Sequence, residues 1–142
     1  MTRTGLTLIG ALIVVVAAAI LAVLVVPPLA DASEDGRGSA LARDLYMIRE
    51  QIRLFRSQHK GIAPARDGRG FVDQFTRKTD DDGRVDPKGT NGPYVRVFPT
   101  NPFTGTNTVE CGVGEPGGGD HGWYFDVGTG QFFPDDDDHK GW

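Results

Sequence analysis

The sequence predicts an α+β protein, with a long N-terminal helix whose second half packs on a small antiparallel β-sheet. Three observations carry this expectation. Residues Leu6–Val26 form a run of 21 residues without a charge. Leu41, Leu45, Ile48, Ile52 and Phe55 recur at the spacing of one helical face. From Gly61 onward the chain holds 16 glycines and 7 prolines, a density that excludes long helices and suits loops around short strands.

The first run comes first in the chain and sets its organisation. As a helix, Leu6–Val26 is roughly 30 Å long, the thickness of a bilayer's hydrocarbon core. Residues 6–28 are therefore expected to span a membrane. Arg3 is the one charge before the run, so the positive-inside rule expects a cytoplasmic N-terminus and everything after Val26 outside. Pro27-Pro28 removes backbone donors and is expected to kink or break the helix. Leu29 to Gly38 is polar, and Gly36 and Gly38 weaken helix further.

Residues 39–60 read as an amphipathic helix. Ser39 is the expected N-cap and Gly61 the expected stop. Arg43, Glu50, Arg53 and Arg56 lie opposite the apolar stripe, with Tyr46 and Leu54 on its flanks. Residues 61–142 read as a loop and β region. Phe71–Phe75 is expected to form one helical turn or a short strand, and Thr79–Gly92 a polar loop. Tyr94–Phe98 is a strand candidate bounded by prolines. Gly122–Val127 and Gln131–Phe133, joined by Gly128-Thr129-Gly130, read as a β-hairpin with Trp123, Phe125 and Val127 on one face. The stripe is expected to meet Val95, Val97, Trp123 and Phe125. The run Asp135–Asp138 is expected to be disordered or solvated.

Length and charge bound the possibilities. The chain has 142 residues and a net charge of −4, and the part beyond Pro28 suffices for one small domain. Residues 39–60 carry a balance of +3 and residues 109–142 one of −7. A basic stem and an acidic head suit head-to-stem contact between subunits, and equally the solvated faces of a single domain. The lone Cys111 excludes an internal disulfide, leaving a free buried thiol or an intermolecular link.

The start of the apolar run is specific. A short basic leader, Met1-Thr2-Arg3-Thr4, precedes Gly5, and Leu6-Thr7-Leu8-Ile9 follows it. This resembles the N-terminus of type IV pilins and type II secretion pseudopilins. The resemblance implies cleavage by a prepilin peptidase after Gly5 and N-methylation of the new N-terminus, Leu6. It makes residues 1–5 a leader peptide, 6–28 the transmembrane and filament-core helix, and 29–142 a periplasmic pilin-like domain. The family's proline, 21 residues beyond the new N-terminus, falls on Pro27, whereas its glutamate falls on Gly10. Gly92-Pro93-Tyr94-Val95 with Pro99-Thr100-Asn101-Pro102-Phe103 resembles a segment of the major pseudopilins. Gly122-Trp123-Tyr124-Phe125-Asp126 with Gly130 resembles the terminal hairpin of pilin-like proteins.

The resemblance implies a structural subunit of a type IV pilus or type II secretion pseudopilus, not an enzyme. It implies an inner-membrane, single-pass protein that later joins a filament. Its partners would be the membrane, its own or other pilin-like subunits, the prepilin peptidase and an inner-membrane assembly platform, with no nucleic acid. The alternative is a membrane-anchored or secreted binding module that never polymerises, which Gly10 favours. Ala30-Asp31-Ala32 would serve as the cleavage site of such a secreted form. However, a signal peptide's apolar region typically has only about 7–15 residues.

Two loops are candidate calcium sites. Asp80, Asp82 and Asp86 form D-x-D-G-x-x-D, with alternating carboxylates and a glycine turn that suit a hard cation. No glutamate closes that loop as an EF-hand requires. Major pseudopilins bind calcium in a C-terminal loop, so Asp120 and Asp126, with the Asp135–Asp138 run, form the second candidate. Otherwise these are solvated acidic loops. Zinc is not expected, because Cys111 and His121 supply two of four ligands. His59 and His139 have no ligand partner at suitable spacing. No hydrolase, zinc-protease or P-loop pattern occurs, and no nucleophile–base pair or paired carboxylates can be placed.

Overall fold

The computed structural model describes residues 8–142, with side chains at positions 10–16 and 33–142. The elements are helix α1 (Leu8–Gln58), a single 3-10 turn at Arg66–Gly68, helix α2 (Phe71–Thr76), and strands β1 (Val109–Gly112), β2 (Trp123–Asp126) and β3 (Phe132–Pro134). The chain divides into two compact units, Met1–Arg37 and Gly38–Trp142.

Helix α1 covers more of the chain than its composition suggests. The polar segment Leu29–Gly38 is helical, and neither Pro27 nor Gly36 and Gly38 ends the element. Its C-terminus lies where the sequence places it. Lys60 takes φ of 57°, and the N–H of Gly61 reaches back to the carbonyl of Arg56 at 2.8 Å, closing the last turn.

No helix among the described residues is long and apolar enough to cross a membrane. This overturns the expected membrane-spanning first half, and with it the single-pass inner-membrane placement.

The sheet has the order β1-β2-β3 and is mixed, where a wholly antiparallel one was expected. Strands β2 and β3 form the expected hairpin, with Trp123 opposite Pro134 and Phe125 opposite Phe132. Strand β1 runs parallel to β2, pairing Val109 with Trp123 and Gly112 with Asp126. The intervening glycine-rich loop carries the chain back to the end of the sheet where β1 began. Parallel pairing follows from that return.

The core sits where the stripe of α1 meets a set of aromatic rings. Leu41, Leu45, Ile48, Ile52 and Phe55 are all buried, together with Phe71, Phe75, Val95, Phe98, Trp123, Phe125 and Phe132. Phe71 is the hub. Its ring lies 4.6 Å from Phe75, 4.9 Å from Phe125 and 5.6 Å from Phe132, centre to centre. The short segment Phe71–Thr76 is helical, which sets Phe71 and Phe75 one turn apart on the same face.

Two expected contacts differ. Tyr94–Phe98 forms no strand, and Val97 is 73% exposed. Tyr94 and Val95 both donate their N–H to the carbonyl of Phe75, so this segment is held to the end of α2 and not to the sheet. Val95 and Phe98 are the two apolar residues it buries. Val127 lies beyond the end of β2 and is exposed.

Truncating a buried stripe residue removes contacts and leaves a void, so Ile48→Ala is expected to destabilise the fold by about 2–5 kcal/mol. Val97→Ala, at the position the sequence alone places in the core, is expected to change stability by less than about 0.5 kcal/mol. Chemical denaturation of the two variants beside the parent chain checks both values.

Candidate metal centre

One end of the sheet gathers three potential ligands. Strands β1 and β2 both begin there, and β3 ends there. Glu110 is the second residue of β1, His121 lies two residues before β2, and Asp135 directly follows β3. The Nδ1 of His121 lies 3.8 Å from Glu110 Oε2 and 4.0 Å from Asp135 Oδ2. One ligand atom from each residue falls within 4.8 Å of the others.

Asp135 is the fixed member. Its side chain is fully buried, and its Oδ1 accepts the N–H of Gly117 at 2.7 Å and of Gly118 at 3.1 Å. Its Oδ2 accepts the N–H of His121 at 3.3 Å. Backbone bonds reinforce this, with Asp135 N–H donating to Gly122 O and Gly119 N–H donating to Asp135 O. Two glycines make the approach possible. Gly117 adopts φ of +115°, which side chains disfavour, and a Cβ on Gly122 would lie 2.2 Å from the carbonyl oxygen of Thr106.

His121 is the unsatisfied member. Its Nδ1 is buried and has no hydrogen-bond partner. Both carboxylates face it at distances too long for a hydrogen bond. The edge of the imidazole and the carboxylate of Glu110 remain open to solvent, so the cluster is closed on the Asp135 side and accessible on the other. Negative charge is concentrated nearby. The phenol of Tyr124, partner of Glu110 across the sheet, is pushed above its ordinary pKa by burial first, and then by the carboxylates of Asp126, Glu110 and Asp135.

The calcium candidates are placed differently. In the first loop, Asp80 Oδ1 accepts the N–H groups of Asp82 and Arg84 at 3.0 and 2.8 Å, and the bond from Arg84 is the main cause of its lowered pKa. Asp82 faces Arg84 at 3.3 Å, and Asp86 Oδ1 accepts the N–H of Lys88 at 2.9 Å. These carboxylates stabilise turns of their own loop and do not converge. Asp126 likewise accepts from Gly128 and Thr129 in the hairpin turn, and Asp120 is exposed. Of the second candidate set, Asp135 alone enters a ligand cluster, so the expected solvated run begins with a buried residue. Gly5 and Leu6, the expected processing site, lie outside the described residues.

Spacing arithmetic missed the cluster because its members come from three separate segments. The signal was weak but present: His121 precedes the hairpin and Asp135 follows it, so pairing the strands brings the two together. The other histidines are committed elsewhere. His59 is buried, with Nδ1 donating to Phe55 O at 2.7 Å and Nε2 accepting from Thr79 Oγ1 at 3.0 Å. His139 pairs with Asp136 and stacks on Phe103.

Cys111, for which a buried free thiol was one of two expectations, is free and exposed on β1. Desolvation at the sheet edge, followed by the charge of Glu110, pushes its pKa up to about 11. Both causes disfavour the thiolate, so the protonated form dominates until the pH approaches that value. Alkylation by iodoacetamide at pH 8 is expected to run up to roughly a hundredfold slower than for an unperturbed cysteine, with a midpoint near 11 when rate is followed against pH. Glu110→Gln removes the second cause and is expected to lower that midpoint. Comparison with known proteins returns no match: no protein-family model, no curated protein and no solved structure is similar to this chain.

Proposed function

We propose that the chain is a structural subunit of a pilus or pseudopilus filament, matured by cleavage after Gly5 and assembled through its N-terminal helix, without catalysis of its own. The observation that carries this reading is the exposed run Leu12, Ile13, Val14, Val15 and Val16 on α1, each between 51% and 65% exposed. Successive residues on a helix point about 100° apart, so five in a row present apolar surface in every direction. A helix that is apolar all round requires cover on all sides. Covering what remains exposed of these five side chains is worth roughly 4–9 kcal/mol, about 60% of the 1.5–3 kcal/mol that full burial gives each. Identical helices packed side by side supply that cover, because each brings the same surface.

The Gly5-Leu6-Thr7-Leu8-Ile9 motif supports the same reading through its position. A cut after Gly5 leaves the whole apolar run on the mature chain. A binding module that does not polymerise is the second reading, favoured by the Glu110, His121 and Asp135 cluster.

Intact-mass analysis of the chain expressed with a prepilin peptidase is expected to show a mature form beginning at methylated Leu6. Val14→Asp places a charge in the apolar run and is expected to abolish sedimentable filaments while leaving the unfolding temperature of the C-terminal unit unchanged. An unprocessed N-terminus, or filaments that survive Val14→Asp, would rule the reading out.

A further inference from the structure

We propose that Glu110, His121 and Asp135 bind one divalent transition cation of the zinc type, with Nδ1 of His121 as its nitrogen ligand. The inference does not depend on the filament reading. It rests first on the orphaned nitrogen: Nδ1 of His121 is buried without a hydrogen-bond partner while two carboxylate oxygens face it at 3.8 and 4.0 Å. A buried polar atom left unpaired is costly, so an atom in that position calls for a partner. A cation placed among the three ligand atoms satisfies the nitrogen and both oxygens at once.

The geometry fits with a small contraction. Ligands about 2.0–2.2 Å from a tetrahedral ion stand roughly 3.3–3.6 Å apart. The separations of the nitrogen from the two carboxylates exceed that range by a few tenths of an ångström, and the two carboxylates lie within 4.8 Å of each other. Glu110 can close its own separation from the nitrogen, because its side chain is half exposed. The 4.0 Å between His121 and Asp135 closes by a shift of the imidazole, itself partly exposed, toward a fixed Asp135. Its three backbone donors hold the carboxylate in place, as outer hydrogen bonds do for ligands in metal sites.

The ligand chemistry selects the class of ion. One imidazole nitrogen with two carboxylates suits borderline ions such as zinc, whereas calcium takes 6–8 oxygens. Three protein ligands leave a coordination position toward solvent on the Glu110 side, where water completes the shell. The competing arrangement is a protonated His121 held between two carboxylates, with no ion. The two are separated by adding the metal alone.

The full chain, stripped of metal by a chelator, would be titrated with Zn²⁺ by calorimetry and with Co²⁺ by visible absorption. One equivalent of Zn²⁺ per chain is expected, together with a Co²⁺ spectrum showing nitrogen ligation. His121→Ala should eliminate both signals, and Glu110→Gln should weaken Zn²⁺ binding at least about tenfold. Thermal unfolding without metal establishes that each variant folds. Glu110→Gln, at a half-exposed position, keeps the test decisive even if His121→Ala does not fold. No binding by the parent chain, unchanged binding in either variant, or displacement of Zn²⁺ by equimolar Ca²⁺ would overturn the proposal.

Discussion

The fold of the C-terminal unit depends on covering one face of α1. Leu41, Leu45, Ile48, Ile52 and Phe55 are each at most 4% exposed, and five buried side chains represent roughly 8–15 kcal/mol of transfer free energy. The sheet alone is too small for that task, since its strands are 4, 4 and 3 residues long. Phenylalanine makes up the shortfall. Phe71 and Phe75 on α2, Phe98 from an irregular segment, and Phe125 and Phe132 from the hairpin meet in one cluster of rings, stacked, tilted and edge-on. Rings suit this use because each covers a large area with few rotatable bonds. A glycine-rich chain therefore builds a dense core from a few bulky residues carried on loops.

Covering a helix with loops raises a second demand. Loop backbone has few ladder partners, so buried N–H and C=O groups must be paired another way. Buried polar side chains do this. Gln74 accepts the N–H of Ala65 and donates to the carbonyl of Gly83, joining two loops across the end of α1. Asn101 donates to Gly122 O and accepts the N–H of Phe103. The His59 and Thr79 pair closes the turn below Phe55. Each bond contributes only about 0.5–1.5 kcal/mol net, yet leaving one such group unpaired costs about 1–3 kcal/mol. The penalty specifies these loops more strongly than the bonds stabilise them.

This division explains which parts of the structure were legible in the sequence. The stripe on α1, the stop at Gly61 and the hairpin from Trp123 to Phe133 follow from local periodicity and turn chemistry, and all three are present. The missed features are non-local. Strand β1 consists of Val109, Glu110, Cys111 and Gly112, which show no clean alternation, and its parallel partner lies beyond a long loop. Val97 alternates correctly for a strand, but the Phe75 carbonyl captures this segment and turns Val97 outward. The helicity of Leu29–Gly38 runs against its glycines. Hydropathy alone implies a membrane span, whereas no helix among the described residues is long and apolar enough for one. The acidic loops were legible as ligand-rich but not as already occupied by their own backbone.

Asp135 shows how the two demands meet in one residue. Its carboxylate is buried, a costly location for a charge without compensation. Three backbone N–H groups, from Gly117, Gly118 and His121, provide that compensation. In doing so they close the glycine-rich loop that returns the chain from β1 to β2, so the parallel pairing and the position of His121 share one cause. The order of dependence follows. The carboxylate's own hydrogen bonds hold the loop, so a cation is not needed to close this end of the sheet. This differs from small metal-dependent domains, whose binding energy is folding energy. A cation bound here would meet a prepared carboxylate and an unpaired imidazole nitrogen, and it would add to a folded unit instead of creating one.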